Sequence, residues 1–445
     1  MGLLAALCIT VSTHAHENSP YSRYGVGDLT PNQNILNRAM GGISAAYADY
    51  QSINFINPAS YGNIGRTIFD LGAEADVRTL KGINSSQKFT NTNALFSYMQ
   101  LGVPIGSLKM AKKERFLGLV FGLRPMSRIN YKIQKLERIA FNPTTGQSDS
   151  LATLYEGSGG ISQAYTGLGL RIKNFSAGIN FGYMFGNKDY STRLIFINDS
   201  VDYYRSNSAN NTNFGGLFVD LGLQYKFSIK DKTTAKEKAS FTIGVHGNLQ
   251  HKLKAYKDLV RETFVYDPNS NNNLRIDSVY VESQVPGKIQ MPSSFGAGFV
   301  YQNSHWLIGA DIDVANWASY RFYNQTDLVR NSYTVRAGAQ YLPAKESTAA
   351  KKYFSFVRYR AGLFFGPDYI TAGNSSLPQF GATMGAGFPL TSLRRISFGG
   401  DFVTLNTAVE IGNRGNNKTG LRENIARFSV GITMNARWFV KAKYD

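Results

Sequence analysis

The sequence has few of the residues that most catalytic and cross-linked sites need. Its 445 residues include one cysteine, Cys8, and five histidines. Cys8 lies in an apolar N-terminal stretch with the character of a secretory signal, so the processed chain is expected to have no disulfide and no thiol. His246, His251 and His305 are too scattered for a metal motif, and no serine lies in a nucleophile elbow. The sequence therefore predicts no enzyme, no metal site and no cofactor.

Long apolar runs are also missing. No run of 18 apolar residues occurs, which excludes transmembrane helices. Tryptophan and proline are few, at three and 13, whereas the chain has 44 glycines, 29 phenylalanines and 26 tyrosines. Glycine-rich strand faces and aromatic girdles of membrane barrels use these residues.

The chain does contain 14 stretches of alternating apolar and polar residues. In the last, Phe428, Val430 and Ile432 share one parity while Ser429 and Gly431 share the other. A period of two places the two sets on opposite faces of a strand. The predicted strands are 67–79, 92–104, 116–136, 152–172, 174–195, 213–229, 239–258, 286–302, 305–322, 331–342, 353–368, 378–390, 394–409 and 423–441.

The connectors between these strands alternate between long and short. Long ones at 137–151, 196–212 and 259–285 are rich in Asn and Ser, whereas 173–174 and 302–304 are tight. Barrels of the bacterial outer membrane have long outer loops, short periplasmic turns and an even strand number. The predicted fold is an all-β, 14-stranded antiparallel transmembrane β-barrel with an N-terminal hatch.

Three regions follow from this pattern. Residues 1–15 have the features of a truncated signal peptide cleaved after Ala15, since no basic residue precedes Arg23. Residues 16–66 have no strand-length alternation and are expected to plug the lumen or lie in the periplasm. Residues 67–445 form the barrel. The expected location is the bacterial outer membrane.

The formal charge of +18 indicates an anionic neighbour. Nucleic acid is not expected, because the lysines lie mainly in connectors and do not line one face of a helix or sheet. Membrane lipid, lipopolysaccharide or an acidic protein fits better. Lysine-rich periplasmic turns provide the candidate contacts for headgroups or partner proteins, namely Lys109, Lys112, Lys113, Lys345, Lys351 and Lys352.

The segment before the first strand carries the most specific motif. A Gly41, Gly42 turn opens a run of small residues, and Asn57, Pro58 and Ala59 follow shortly before strand one. This arrangement resembles the N-terminal hatch of the long-chain fatty acid transporter (FadL-type) family. An Asn before Pro favours an extended, turn-starting backbone, and Ala permits close packing against a barrel wall.

Two further stretches extend the resemblance. The Pro-led strand at 285–299 and the Trp-containing acidic strand at 306–317 are similar to a hairpin of the same family, and 18–28 looks like the mature start of Bacteroidota outer-membrane barrels. The resemblance implies a hatch, uptake of hydrophobic molecules through an outer groove and an internal site, and lateral release at a kinked strand. One departure is a charged lumen.

Eleven ionisable residues lie at strand positions that the alternation predicts to face the lumen, namely Asp220, His246, Asp311, Asp313, Arg336, Arg358, Arg360, Arg395, Asp401, Arg427 and Arg437. Guanidinium groups bind carboxylates in paired hydrogen bonds, so Asp311, Asp313, Arg336, Arg358 and Arg360 are candidates for a solute or selectivity site. The alternative, which we favour, is a lumen closed by ion pairs and hatch contacts.

With enzymes, metal proteins and nucleic-acid binders excluded, the sequence leaves two main candidate functions. The first is FadL-like passage of hydrophobic or amphipathic small molecules. The second is a non-transporting accessory subunit of an outer-membrane machine, similar to the PorV subunit of type IX secretion or an accessory barrel of a β-barrel assembly complex. A general diffusion porin ranks third, because a hatch of about fifty residues obstructs a pore of this size.

Overall fold

The computed structural model describes residues 19–82, 87–106, 108–142, 147–197, 204–231, 237–267, 272–344, 352–372, 375–391, 401–416 and 419–436. The predicted signal peptide lies outside the described residues, as do Cys8, Arg395, Arg437 and two of the candidate lysines, Lys345 and Lys351. Within the described ranges, no helix is long and apolar enough to cross a membrane.

Eighteen β-segments of the described chain form one sheet that closes on itself. In chain order they are β1 (Asp28–Leu29), β2 (Thr67–Gly82), β3 (Lys88–Ile105), β4 (Arg115–Asn142), β5 (Gln147–Ile172), β6 (Phe175–Phe196), β7 (Arg205–Lys230), β8 (Glu237–Asn248), β9 (His251–Asp267), β10 (Asn272–Met291), β11 (Ser294–Asn303), β12 (Trp306–Ala315), β13 (Arg321–Phe322), β14 (Ser332–Tyr341), β15 (Arg358–Ala372), β16 (Ser375–Pro389), β17 (Phe402–Arg414) and β18 (Leu421–Ala436). The helices are α1 (Ile35–Arg38), α2 (Leu108–Lys112) and 3₁₀ turns at Pro20–Arg23, Pro58–Asn63, Trp317–Ser319 and Tyr353–Phe356.

These segments make 14 antiparallel barrel strands, which confirms the predicted fold class. β18 closes the barrel on β2, from Ala436 opposite Thr67 to Leu421 opposite Gly82. β8 with β9 forms one barrel strand and β10 with β11 the next, interrupted at 249–250 and 292–293. Pro292 in the second interruption cannot donate to the ladder. β1 belongs to the N-terminal segment, and β13 continues the path of β12.

The predicted face alternation is also found. On β6, Phe175, Phe181 and Tyr183 are 45–52% exposed on the outer face, whereas Ser176 and Asn180 are buried towards the lumen. The outer side chains need no polar partner in lipid, and the closed ladder satisfies the backbone.

Several predicted loops are wrong, because the strands continue through them. β4, β5 and β7 have 26 to 28 residues each, and most of 137–151, 196–212 and 259–285 is paired. About ten residues suffice to span a bilayer. The β7 extension at 205–212 is polar at seven of its eight positions, so it has no apolar alternation for the sequence to reveal. We call this side of the barrel the long-hairpin end and the opposite side the short-turn end.

Residues 19–66 lie inside the barrel, apart from β1, which pairs with the wall strand β4. The largest fully buried side chains include Ile35, Met40, Tyr47, Ile53 and Tyr61, all from this segment. They pack against inward residues of the wall such as Ile68 and Tyr98 in one apolar cluster, or against Val300 and Leu307 in another. The core of the molecule is therefore the contact between this hatch segment and the wall.

Candidate functional site

The hatch segment is seated on a ring of wall glycines. At each of these positions an added Cβ would come into close contact with hatch backbone or a hatch side chain, for instance at Gly169, where it would lie 2.5 Å from the Pro58 carbonyl oxygen. Seven strands contribute, through Gly118, Gly169, Gly178, Gly222, Gly244, Gly338 and Gly362. Because glycine alone leaves this space, the ring fixes the level at which the hatch sits.

The predicted motif residues lie in this contact. Asn57 caps the 3₁₀ turn Pro58–Asn63, where its side-chain oxygen accepts from the Ala59 N–H at 3.1 Å. Its Nδ2 donates to the Ala45 carbonyl at 2.6 Å and lies 3.2–3.3 Å from the carbonyls of Leu223 and Val245 on the wall. Asn57 thus binds two parts of the hatch to each other and to β7 and β8.

Gly41 and Gly42 make the turn that follows α1. Their φ angles are +68° and +88°, a region that favours glycine. A Cβ on Gly41 would lie 2.7 Å from the carbonyl oxygens of Ala337 and Leu363, and its N–H donates to Thr383 Oγ1 at 2.8 Å. The turn is therefore pressed against β14 to β16.

Asp313 and Arg336 form an ion pair in the lumen, and His246 Nε2 lies 3.1 Å from Asp313. Asp311 is buried and accepts hydrogen bonds from the hatch N–H groups of Ser44 and Ala45, the latter at 2.7 Å. These contacts join β12 and β14 to the hatch.

Arg358 and Arg360 lie nearer the short-turn end. Arg358 pairs with Asp49 of the hatch at 3.0 Å, and Arg360 donates to Gln340 and Asn406 at 2.8 and 2.9 Å. Burial and then the Asp49 carboxylate raise the pKa of the Tyr47 hydroxyl, which stays protonated and donates to Asp49 at 3.2 Å. Arg336 lines the lumen cavity but Arg358 and Arg360 do not, so the three predicted arginines do not converge on one site.

A second charged network was not predicted. Asp28 of the hatch pairs with Arg78 and Arg414, each at 2.6 Å. Glu423 lies 3.4–3.5 Å from the same two guanidinium groups, and Asp368 is 2.6 Å from Arg414. The alternation along β2 places Arg78 among the lumen-facing residues, so the sequence could have predicted its position. No pattern in the sequence predicts that Asp28 contacts Arg78.

A cavity of about 350 Å³ remains beside the hatch in the lumen. Its lining combines apolar side chains, such as Phe55, Met126 and Trp317, with polar and charged ones, among them the ion pairs above and Arg124. Arg124 is buried and forms no ion pair within 4 Å in the described part of the chain, although the carboxylate of Asp220, which lines the same cavity, attracts it across the lumen. Its guanidinium lies 4.5 Å from the centre of the Phe55 ring and hydrogen-bonds to Asn32 at 2.5 Å and Gln163 at 2.9 Å.

The wall beside this cavity has a gap. β3 pairs with β4 only from Met99 to Ile105, so its residues 88–98 have β2 as their one neighbouring strand within the described chain. The hatch segment β1 lies in the gap and pairs with β4, with Asp28 opposite Arg128 and Leu29 opposite Ser127. Leu29 is 41% exposed. Within the described chain, β1 thus lies between the cavity and the outside of the barrel, together with the Arg128 side chain, which donates to the Phe96 carbonyl across the gap at 3.1 Å.

The described candidate lysines lie at the short-turn end. Lys109 and Lys112 are on α2 and Lys113 follows it, and all three are exposed, as is Lys352. They remain candidates for contacts with head groups or partner proteins.

These features define a 14-stranded barrel of the FadL type with a segment seated in its lumen. The chain belongs to the BamG family, whose family model matches residues 1–445. A comparison with curated proteins finds no match.

Solved structures share the fold at low identity. A Pseudomonas aeruginosa FadL homologue is 13% identical over 92% of this chain and 99% of its own, with a TM-score of 0.55. The CymD monoaromatic hydrocarbon channel (13%, 93% and 99%, TM-score 0.51) and the Ralstonia pickettii toluene transporter TbuX (13%, 91% and 98%, TM-score 0.51) are similar to the same extent. At this identity the likeness establishes the fold alone.

Proposed function

We propose that this protein is an outer-membrane barrel that passes hydrophobic or amphipathic small molecules, with its short turns in the periplasm. The observation that carries the proposal is the wall gap between β3 and β4 with the lumen cavity behind it. An apolar solute that leaves through the wall enters lipid and avoids the charged lumen. The FadL homologue and the hydrocarbon channels named above support this reading by their shared fold.

The cavity also favours an amphipathic solute over a plain hydrocarbon. A hydrocarbon would leave the Arg124 guanidinium without a direct ion pair, with Asp220 as its more distant anionic neighbour, whereas a carboxylate or similar head group can accept from it directly. The tail would then contact Phe55 and Met126. Arg124 replaces the predicted arginine triad as the candidate for head-group binding, because Arg336 and Arg358 are already paired with Asp313 and Asp49.

The test is to lock β1 in the gap. Leu29→Cys with Ser127→Cys places two cysteines at directly opposed positions of an antiparallel pair, where a disulfide is expected to form on oxidation. Oxidised cells should lose uptake of a hydrophobic acid, and reduction should restore it. Each single cysteine variant is the control. Full uptake by the oxidised double variant would show that solute does not pass β1.

A second candidate is an accessory subunit of an outer-membrane machine, for example of the type IX secretion or β-barrel assembly kind. The observation that favours it is the glycine ring with its ion pairs, since a segment fixed on so many strands is suited to sealing the lumen. Affinity purification in mild detergent distinguishes the two candidates. A machine subunit should purify in stoichiometric complex, and a transporter should purify alone.

A further inference from the structure

Charge is distributed unequally between the two ends of the barrel. The described turns and flanking residues of the short-turn end carry eleven basic side chains, Arg66, Lys109, Lys112, Lys113, Arg115, Arg171, Lys173, Lys226, Lys230, Lys238 and Lys352. They carry four acidic ones, Glu114, Asp231, Glu237 and Asp401. Hairpins at the other end mix both signs, as where Arg275 lies 3.6 Å from Glu262. The described short-turn end therefore carries seven more basic than acidic side chains.

Most of these basic groups are not used within the protein. Arg66 lies 3.7 Å from Asp401 and Lys226 lies 2.7 Å from Glu237. Eight others are exposed and form no ion pair with any residue in the described part of the chain, namely Lys109, Lys112, Lys113, Arg115, Lys173, Lys230, Lys238 and Lys352. We call these eight the basic rim. Their mutual repulsion is unfavourable unless an anion lies nearby.

Exposed aromatic side chains mark the level of the rim. Phe175 follows Lys173 by two residues and is 45% exposed, and Phe354 follows Lys352 by two and is 68% exposed. Phe227 lies three residues before Lys230 and is 48% exposed. Aromatic residues at the ends of barrel strands lie where hydrocarbon gives way to head groups. The basic rim, which comes from four of the short turns, therefore lies at head-group level.

We propose that the basic rim binds the phosphodiester head groups of anionic phospholipids in the periplasmic leaflet. Lysine and arginine at this depth extend their ammonium and guanidinium groups to the interface, where anionic lipid phosphates accept hydrogen bonds. The proposal rests on the orientation given under the proposed function. In that orientation the rim is on the leaflet opposite to lipopolysaccharide, which leaves phospholipid as the anionic lipid within reach.

The reporter for this binding is Trp306, which is 45% exposed at the short-turn end and packs on Tyr341 with ring centres 4.7 Å apart. Ala239, next to Lys238, is directly opposite Asn303 in the turn that leads to Trp306. A Trp317→Phe, Trp438→Phe background leaves Trp306 as the fluorophore. The full-length protein is reconstituted in phosphatidylcholine vesicles that contain brominated phosphatidylglycerol or, in parallel, the same fraction of brominated phosphatidylcholine.

The anionic brominated lipid should quench Trp306 more strongly than the zwitterionic one. Lys230→Gln, Lys238→Gln, Lys352→Gln should lower that ratio by about fivefold or more, since each basic group near an anionic surface contributes about fivefold to local enrichment. The matched control removes three exposed charges from the long-hairpin end, Lys81→Gln, Lys88→Gln, Arg422→Gln, and should keep the ratio. A Lys→Arg triple variant at the rim should keep it as well.

Equal quenching by both lipids in the parent protein would overturn the proposal, as would the same loss in the rim and control variants. An acidic protein is the other possible occupant. If the Gln variant keeps its lipid preference but loses a protein that co-purifies with the parent, the rim binds protein and the assignment to lipid fails. Uptake through the gap at β1 is measured separately, so failure of the transport proposal would not be confused with failure here.

Discussion

Gly169→Ala tests whether the glycine ring holds the hatch segment in place. A Cβ at this position would lie 2.5 Å from the Pro58 carbonyl oxygen, 2.6 Å from Tyr61 Cβ and 2.9 Å from the Gly62 nitrogen. Two of the three contacts are backbone atoms of the hatch, so the hatch must move by several tenths of an ångström or more. The φ angle of Gly169 is not in the left-handed region, so the variant tests crowding alone.

The expected free-energy cost of Gly169→Ala is that of overpacking a close-packed contact. Forcing an extra methyl group into a close-packed contact costs about 1–3 kcal/mol. If this cost acts on the seated hatch and not on the barrel, the ratio of displaced to seated hatch rises roughly 5- to 150-fold. Displacement of the hatch from the lumen, if rare in the parent protein, would then become frequent enough to measure.

The assay is ion conductance of the purified protein in planar bilayers, with antibiotic sensitivity of cells as the second measurement. Gly169→Ala should conduct more often than the parent and less than a variant lacking residues 19–63, in which a barrel of this width is empty. Gly106→Ala is the control, because nothing lies within 4 Å of its added Cβ. If Gly169→Ala inserts normally and conducts no more than Gly106→Ala, the ring does not control the position of the hatch.

Three further predictions concern topology, the lumen and the partners. Tags placed in 267–273 should be labelled on intact cells and tags in 230–238 should not; labelling of the second site would contradict the strand count. Arg336→Gln leaves the partly exposed Asp313 without its guanidinium partner and should cost about 1–3 kcal/mol, measured as a lower unfolding temperature of the barrel, whereas Asp313→Asn in the same background should recover part of this loss. Changing Lys109, Lys112, Lys113, Lys345, Lys351 and Lys352 to Gln should release any acidic partner at moderate salt, with each exposed pair contributing about 0.2–1 kcal/mol; an unchanged set of co-purifying proteins would contradict a protein contact there.

The sequence predicted the parts of this fold that depend on local pattern. Strand number, wall closure and lumen-facing parity follow from alternation that each strand carries by itself, as on β6 between Phe175 and Tyr183. The hatch motif around Asn57 was visible for the same reason, since capping of a turn by Asn before Pro is local chemistry.

The features that the sequence did not predict depend on contacts between distant residues. β1 pairs with β4 across 99 intervening residues between Asp28 and Arg128. A strand of two residues is too short to show an alternation that would predict this pairing. Parity placed Arg336, Arg358 and Arg360 inward but did not give their height in the lumen or their partners. That information depends on the path of the hatch, which has no repeating pattern.

The seated hatch also constrains the order in which the protein is assembled. The segment contacts strands on all sides, from Gly118 on β4 to Gly362 on β15, and the seam between β2 and β18 joins residues more than 330 positions apart. A closed cylinder would have to admit this irregular chain through an opening filled by its own side chains. We expect the open sheet to wrap around the segment instead, with the β2–β18 seam forming last, when every other strand is in register. Non-local closure of this kind is slow, so we expect an unpaired edge at β18 to persist during folding, and this edge is where a folding catalyst would act.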